Sequence, residues 1–289
     1  MIANSANHSR ATAKFLVALV CVLLAAGSAR AQGSVKAHYT ISMTGVSIGE
    51  IAWRIEIGET LYSTSANGKA SGVLSVLMSG EGSVGAKGSL AADRLYPSSY
   101  TSTITDDDGT ITLQLAFADG VATEQITPQP PAHANRVPIA DNDRRGVADP
   151  LSAVLLPTKL GGGALAASDC DRTLKIYDGR RRYDLALAYG RIDKVTVARG
   201  YSGPILVCSV VLQPIAGYRA DSMIVKYVAG RRNMELWFAP IAGTSIIAPV
   251  RVLMPTLIGT LKIQADQFEA AAVAPLPAPV EAAPLPPPQ

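Results

Sequence analysis

Between Cys170 and Cys208 the chain reads CDRTLKIYDGRRRYDLALAYGRIDKVTVARGYSGPILVC, and this stretch narrows the possible folds more than any other. Leu174 and Ile176 alternate with Thr173, Lys175 and Tyr177 ahead of Asp178-Gly179, and Tyr183, Leu185 and Leu187 alternate after it. A period of two sets alternate side chains on opposite faces of a strand. Asp-Gly between two such runs signals a hairpin, because both central residues of a type I′ turn need positive φ. Gly190 and Gly200 interrupt the later segments. The stretch therefore predicts antiparallel sheet with one face on a core.

The same pattern recurs along the chain. Val35 to Thr44 alternates, Gly45 to Gly49 turns, and Glu50 to Ile57 places Ile51, Trp53, Ile55 and Ile57 opposite Arg54 and Glu56. Strands are expected over Thr60 to Lys69, from Gly80 through small residues, and over Ser98 to Thr105, Thr110 to Phe117 and Val121 to Thr127. Further strands are expected over Ala220 to Ala229, Met234 to Ala239, Ile246 to Met254 and Leu257 to Gln267. Asp106-Asp107-Asp108-Gly109 reads as a solvated hairpin turn, since no glutamate follows at the spacing of a calcium loop. Two short helices interrupt the strands. Ser71 to Met78 is apolar without strict alternation and suits a plug for one mouth of the sheet, while Asp149 as N-cap with Pro150 at the first helical position opens a helix running to Pro157. Pro128 to Gly146 is a long irregular connection. The fold class expected is mainly β: one strongly curved antiparallel sheet or open barrel of about a dozen or more strands with two short helices.

The first 31 residues read as a secretory signal peptide. Arg10 and Lys14 precede the apolar run Phe15 to Ala26, which is too short for a comfortable membrane span, and Ala29-Arg30-Ala31 is a small-x-small cleavage signature. Residues 32–269 then form a single β-rich domain, and 270–289 a proline-rich tail too poor in apolar bulk to pack a core. No transmembrane segment is expected after cleavage, and the protein is expected in the periplasm. Removing Arg10, Lys14 and Arg30 takes 26 basic residues to 23, level with the 23 acids, so the charge gives no reason to expect a nucleic acid partner. Of three cysteines only Cys170 and Cys208 lie beyond the leader, and an oxidising compartment makes a disulfide the expectation. Zinc is the rival use, but His38 and His133 are the only histidines left and neither is near a cysteine.

Signatures of chemistry are missing. The chain has no G-x-S-x-G, H-E-x-x-H or phosphate-binding glycine loop, so no catalytic residue, cofactor or metal is expected. Arg180-Arg181-Arg182 and Arg231-Arg232 could meet lipid or sugar phosphate, or simply cover sheet surface.

Several segments together resemble the bacterial envelope family known as domain of unknown function 3108. They are LYPSSY (Leu95 to Tyr100), DPLSAVL (Asp149 to Leu155), CDRTLKIYDGRRRYDL (Cys170 to Leu185), GYSGPILVC (Gly200 to Cys208), PIAGY (Pro214 to Tyr218) and ELWFAP followed by APVRV. The resemblance implies a location and an architecture similar to periplasmic lipoprotein carriers, whose curved sheet wraps an apolar cavity, and it implies no reaction. Two non-enzymatic functions follow. In the first, the concave face holds a lipid, a lipoprotein or another apolar ligand, lined by Trp53, Val73, Leu74, Leu77, Met78 and Trp237, with Val73 to Met78 as a lid. In the second, the protein supports envelope integrity without a ligand, joining an envelope protein through its sheet edge and proline-rich tail.

Overall fold

The computed structural model describes residues 32–71, 80–91, 94–129 and 135–273. Seven successive antiparallel strands come first: β1 (Gly33–Met43), β2 (Val46–Ile57), β3 (Leu61–Ala70), β4 (Gly80–Ala91), β5 (Arg94–Asp106), β6 (Gly109–Ala118) and β7 (Val121–Thr127). After a short β8 (Leu156–Pro157) come β9 (Arg172–Tyr177), β10 (Arg182–Thr196), β11 (Arg199–Gly200), β12 (Ser202–Ala216), β13 (Met234–Pro240), β14 (Ile246–Thr256) and β15 (Gly259–Ala272). All fifteen belong to one sheet in the order β7-β6-β5-β4-β3-β2-β1-β15-β14-β13-β12-β10-β9, with β8 on β14 and β11 on β15. Among the paired strands of the described residues, only β11–β15 is parallel.

The alternation that marks the first strands is also what turns one face inward. Ile55 and Ile57 on β2, Val35 on β1 and Tyr62 on β3 are almost wholly buried, while Arg54 and Glu56 stay exposed. Strand twist curls so long a sheet until its two edges approach. Here the edges are β7 and β9, and residues 145–148 strap them together. Arg145 bridges Val121 at the start of β7, and Ala148 bridges Ile176 on β9 in parallel. Ala148 N donates to Lys175 O and Tyr177 N donates to Ala148 O, each at 2.9 Å. The Arg144 guanidinium, next to the strap, grips the Glu124 carboxylate of β7 through two nitrogens.

The helix Pro150–Ala153 follows the strap into the interior. Asp149 caps it as the sequence implies, accepting from Leu151 N at 3.0 Å and Ser152 N at 2.9 Å. It is one turn long, shorter than the run to Pro157 that the sequence suggests, because Leu156-Pro157 leaves the helix to pair with Ile246-Ile247. The disulfide is formed: Cys170, just ahead of β9, is bonded to Cys208 on β12, with a Cα–Cα distance of 5.5 Å.

Five local expectations are corrected. Ala220 to Ala229 is not a strand but contains the helix Met223–Ala229, capped by Ser222 Oγ, which accepts from Val225 N. Its β-branched residues favour extension, yet it buries only Val228, a one-sided pattern a short helix of about two turns satisfies. The turn placed over Gly45 to Gly49 is the tight pair Thr44-Gly45, both at positive φ. At Asp178-Gly179 only the glycine has positive φ, so the turn is not type I′. It spans Asp178 to Arg181, and the Asp178 carboxylate accepts from the amides of Arg180 and Arg181. Gly190 is a bulge within the continuous β10 and does not end it. Finally β15 continues to Ala272, three residues into the expected tail, because alanines 270–272 need only their backbone to pair with β1. The expected helix over Ser71 to Met78, the leader, and the rest of the tail lie outside the described residues.

Candidate functional site

The helix Pro150–Ala153 divides the space inside the sheet. Tyr62 on β3 anchors it by donating to Ser152 Oγ. On one side of it Leu151 and the adjoining Val154 floor a cavity of about 570 Å³. The walls are inward positions of β1 to β5 (Ile41, Ile51, Ala66 and Val84 among them), with Leu236, Val252 and Ile263 from the far side of the sheet. Tyr39 and Trp53 form its aromatic end, with ring centroids 6.1 Å apart. Both aromatic polar groups are already engaged: Tyr39 donates its hydroxyl to Pro249 O at 2.7 Å, and Trp53 Nε1 donates to Thr64 Oγ1 at 2.6 Å. What they present to the cavity is therefore apolar ring surface.

On the outer face of the same strands Lys69 Nζ lies 2.9 Å from Glu50 Oε1, and Glu81 stands opposite Lys69 on the neighbouring strand. The Lys69 ammonium holds the Glu50 carboxyl below its usual range, and Glu50 raises the lysine in return. The apolar lining of the inner cavity suits an apolar guest.

Of the residues expected to line the concave face, Trp53 does so. Trp237 does not. It stacks between Arg251, whose guanidinium lies 4.0 Å from the ring centroid, and Arg191 at 5.0 Å, and its Nε1 donates to Glu235. Val73, Leu74, Leu77 and Met78 lie outside the described residues. The remaining lining, including Leu151, Leu236, Val252 and Ile263, was not singled out from sequence. Its only signal is alternation within each strand, which assigns a face but not a cavity.

His38 has the surroundings of a surface ion cluster. Its Nδ1 is 2.8 Å from Asp266 Oδ1 and its Nε2 is 3.7 Å from Glu50 Oε2, with Thr40 Oγ1 donating to Asp266. Both ring nitrogens face carboxylates, and no hydroxyl or thiol among the described residues is hydrogen-bonded to the ring. A nucleophile–histidine pair is not assembled there. His133 is outside the described residues. Among the described residues no cluster of histidine, cysteine and carboxylates could hold a metal.

The family profile for the protein of unknown function DUF3108 matches residues 38–266. The chain belongs to the DUF3108 family. The match begins in β1 and ends in β15, so it takes in the whole sheet and the strap that closes it. This DUF3108 chain is also similar in fold to a solved structure, the beta-barrel-like protein of domain of unknown function DUF1849 from Brucella abortus. That similarity has a TM-score of 0.51 at 9% identity, and covers 83% of this chain and 97% of the other. At that identity the likeness concerns the fold alone. No curated protein matches the DUF3108 chain.

Proposed function

We propose that this DUF3108 protein is a non-enzymatic periplasmic binding protein that holds a lipid or another apolar ligand in the concave face of its sheet. The observation that supports this reading is the cavity of about 570 Å³ between Tyr39, Trp53 and the helix Pro150–Ala153, a volume within the range of small-molecule sites.

The two tryptophans make a test, because Trp53 lines the cavity and Trp237 lies apart from it. A Trp237→Phe variant carries Trp53 as its only indole. Brominated fatty acid should quench its fluorescence saturably, and native mass spectrometry of protein purified from the periplasm should show an extractable lipid. Ile104, exposed at the rim, can be enlarged without disturbing the core. Ile104→Trp in an otherwise unchanged background should weaken lipid retention in the mass spectrum. A clean apo mass after incubation with envelope lipids, with no quenching of Trp53, would overturn the reading.

A further inference from the structure

The other side of the helix Pro150–Ala153 faces a second recess, a cleft of about 1150 Å³ where the barrel seam is not fully closed. Its floor includes Ala153, Leu155 and Leu156. Four cations line it: Arg94 on β5, Lys159 after β8, and Arg172 and Lys175 on β9. Asp119 and Asp171 are the acids in the lining. Arg172 is partly engaged, donating to Pro157 O at 3.0 Å with Asp169 at 3.9 Å. Burial presses the pKa of its guanidinium down, and Asp169 offsets this in part. For the side chains of Arg94, Lys159 and Lys175 no carboxylate among the described residues stands within ion-pairing distance.

The backbone of this cleft is also incomplete. In a strand, the N–H and C=O of one residue point to the same side, and successive residues alternate. Lys175 O and Tyr177 N bond the strap, so Thr173, two residues earlier, turns its N–H and C=O the same way, and β10 cannot reach them. The strap supplies no partner there, because Gly146 N is spent on Gly120 O. Among the described residues no group is hydrogen-bonded to Thr173 N–H, Thr173 C=O or Lys175 N–H, and together they form a length of open strand edge. Across the cleft β5 pairs with β6 only from Ser99 onward, which leaves Leu95 to Ser98 without a β6 partner. Such an edge is a template for another strand.

We propose that the seam cleft binds an extended acidic segment of a partner protein by strand addition to β9, its carboxylates paired with Lys159, Lys175 and Arg94. The exposed edge dictates an extended backbone, and the excess of cations over carboxylates dictates the sign of the side chains. This site is separate from the apolar cavity and does not depend on what the cavity holds.

The probe is a fluorescein-labelled hexapeptide alternating glutamate and valine, titrated into the full chain after export, with the lysine–valine counterpart as control. The expected result is saturable anisotropy for the acidic peptide only, with slowed hydrogen exchange at the Thr173 and Lys175 amides. Lys159→Glu with Lys175→Glu, both exposed positions, should weaken binding at least about tenfold. Thr173→Pro deletes a donor that no native bond uses and should abolish the exchange protection while the unbound protein stays folded. Equal binding of both peptides, no binding at millimolar concentration, or binding indifferent to charge reversal would overturn the proposal. So would charge-dependent capture by phosphatidylglycerol vesicles without peptide binding, which would reassign the cleft to a membrane surface.

Discussion

Tyr62 donates its hydroxyl to Ser152 Oγ at 2.7 Å across 90 positions of sequence, and through this bond a strand of the wall holds the helix that partitions the interior. Both side chains are buried, so the bond has no water to replace it. Tyr62→Phe keeps the ring and removes the donor to Ser152 Oγ. The expected loss is about 1 to 2 kcal/mol, read as a lower denaturant midpoint with an unchanged slope. A midpoint equal to the parent's would show that the helix is held by packing alone.

Cys170 and Cys208 close a loop of sequence separation 38 that joins the edge of the sheet to β12. In the chain-entropy model such a closure is worth roughly 3 to 4 kcal/mol. The double variant Cys170→Ala, Cys208→Ala should lose about that much in guanidinium unfolding. The natively exported protein should show no free thiol on alkylation until it is reduced.

Gly200 pairs with Phe268 at φ +102°, and a Cβ there would collide with Phe268 O. This is the point where the tip of the β10–β12 hairpin lies along β15, with Tyr201 edge-on to Phe268 at 6.2 Å. Gly200→Ala adds backbone strain of about 1 to 3 kcal/mol to that collision. Thermal unfolding should move to lower temperature, and the amides around Phe268 should exchange faster. Gly45→Ala, in an open turn with nothing near its Cβ, carries the φ penalty without a collision and should cost less.

Asp149 is buried, its Oδ1 is spent on two amides and its Oδ2 has no partner. Burial raises its pKa above the ordinary aspartate value. The folded state therefore binds a proton that the unfolded state has released once pH passes about 3.9. Stability must fall as pH rises from there through the folded pKa, and the penalty stays constant above it. Asp149→Asn keeps an acceptor for the two amides and removes the titration. Its stability relative to the parent should rise with pH over that window, as measured by urea unfolding across a pH series, and a parallel pair of curves would refute the assignment. Asp149→Ala loses the cap as well and should fall by about 0.5 to 2 kcal/mol.

Where one face of a strand is wet, its structure was legible. β1, β2, β6 and β7 lie where alternation puts them, and the Asp149-Pro150 cap and the cysteine pairing follow from local chemistry. Legibility ends where both faces are buried. Met234 to Pro240 is nearly continuous burial, so nothing in MELWFAP tells which side Trp237 takes, and the structure turns it away from the cavity. Residues 223–229 mislead for a different reason. Isoleucine, valine and tyrosine carry a strand propensity that one cap and one buried contact override in so short a segment. The seam cleft was invisible because Arg94, Lys159 and Lys175 sit on segments that only the closed sheet brings around one opening. Its uncovered edge is a property of hydrogen-bond parity, which no residue type announces.

The pairing of β1 with β15 has a consequence for how the molecule comes into being. His38 and Asp266 meet across 228 positions, so the first strand waits for the last. Strands β1 to β7 can form a meander from local hairpins as they emerge. Until β15 has been synthesised, however, β1 stays an open edge and the apolar faces of the meander have nothing to close on. Topologies of this kind fold slowly, and their half-built forms aggregate. A nascent chain of this protein is therefore a natural client for a chaperone that shields strand edges, and it needs that protection for almost the whole of its synthesis.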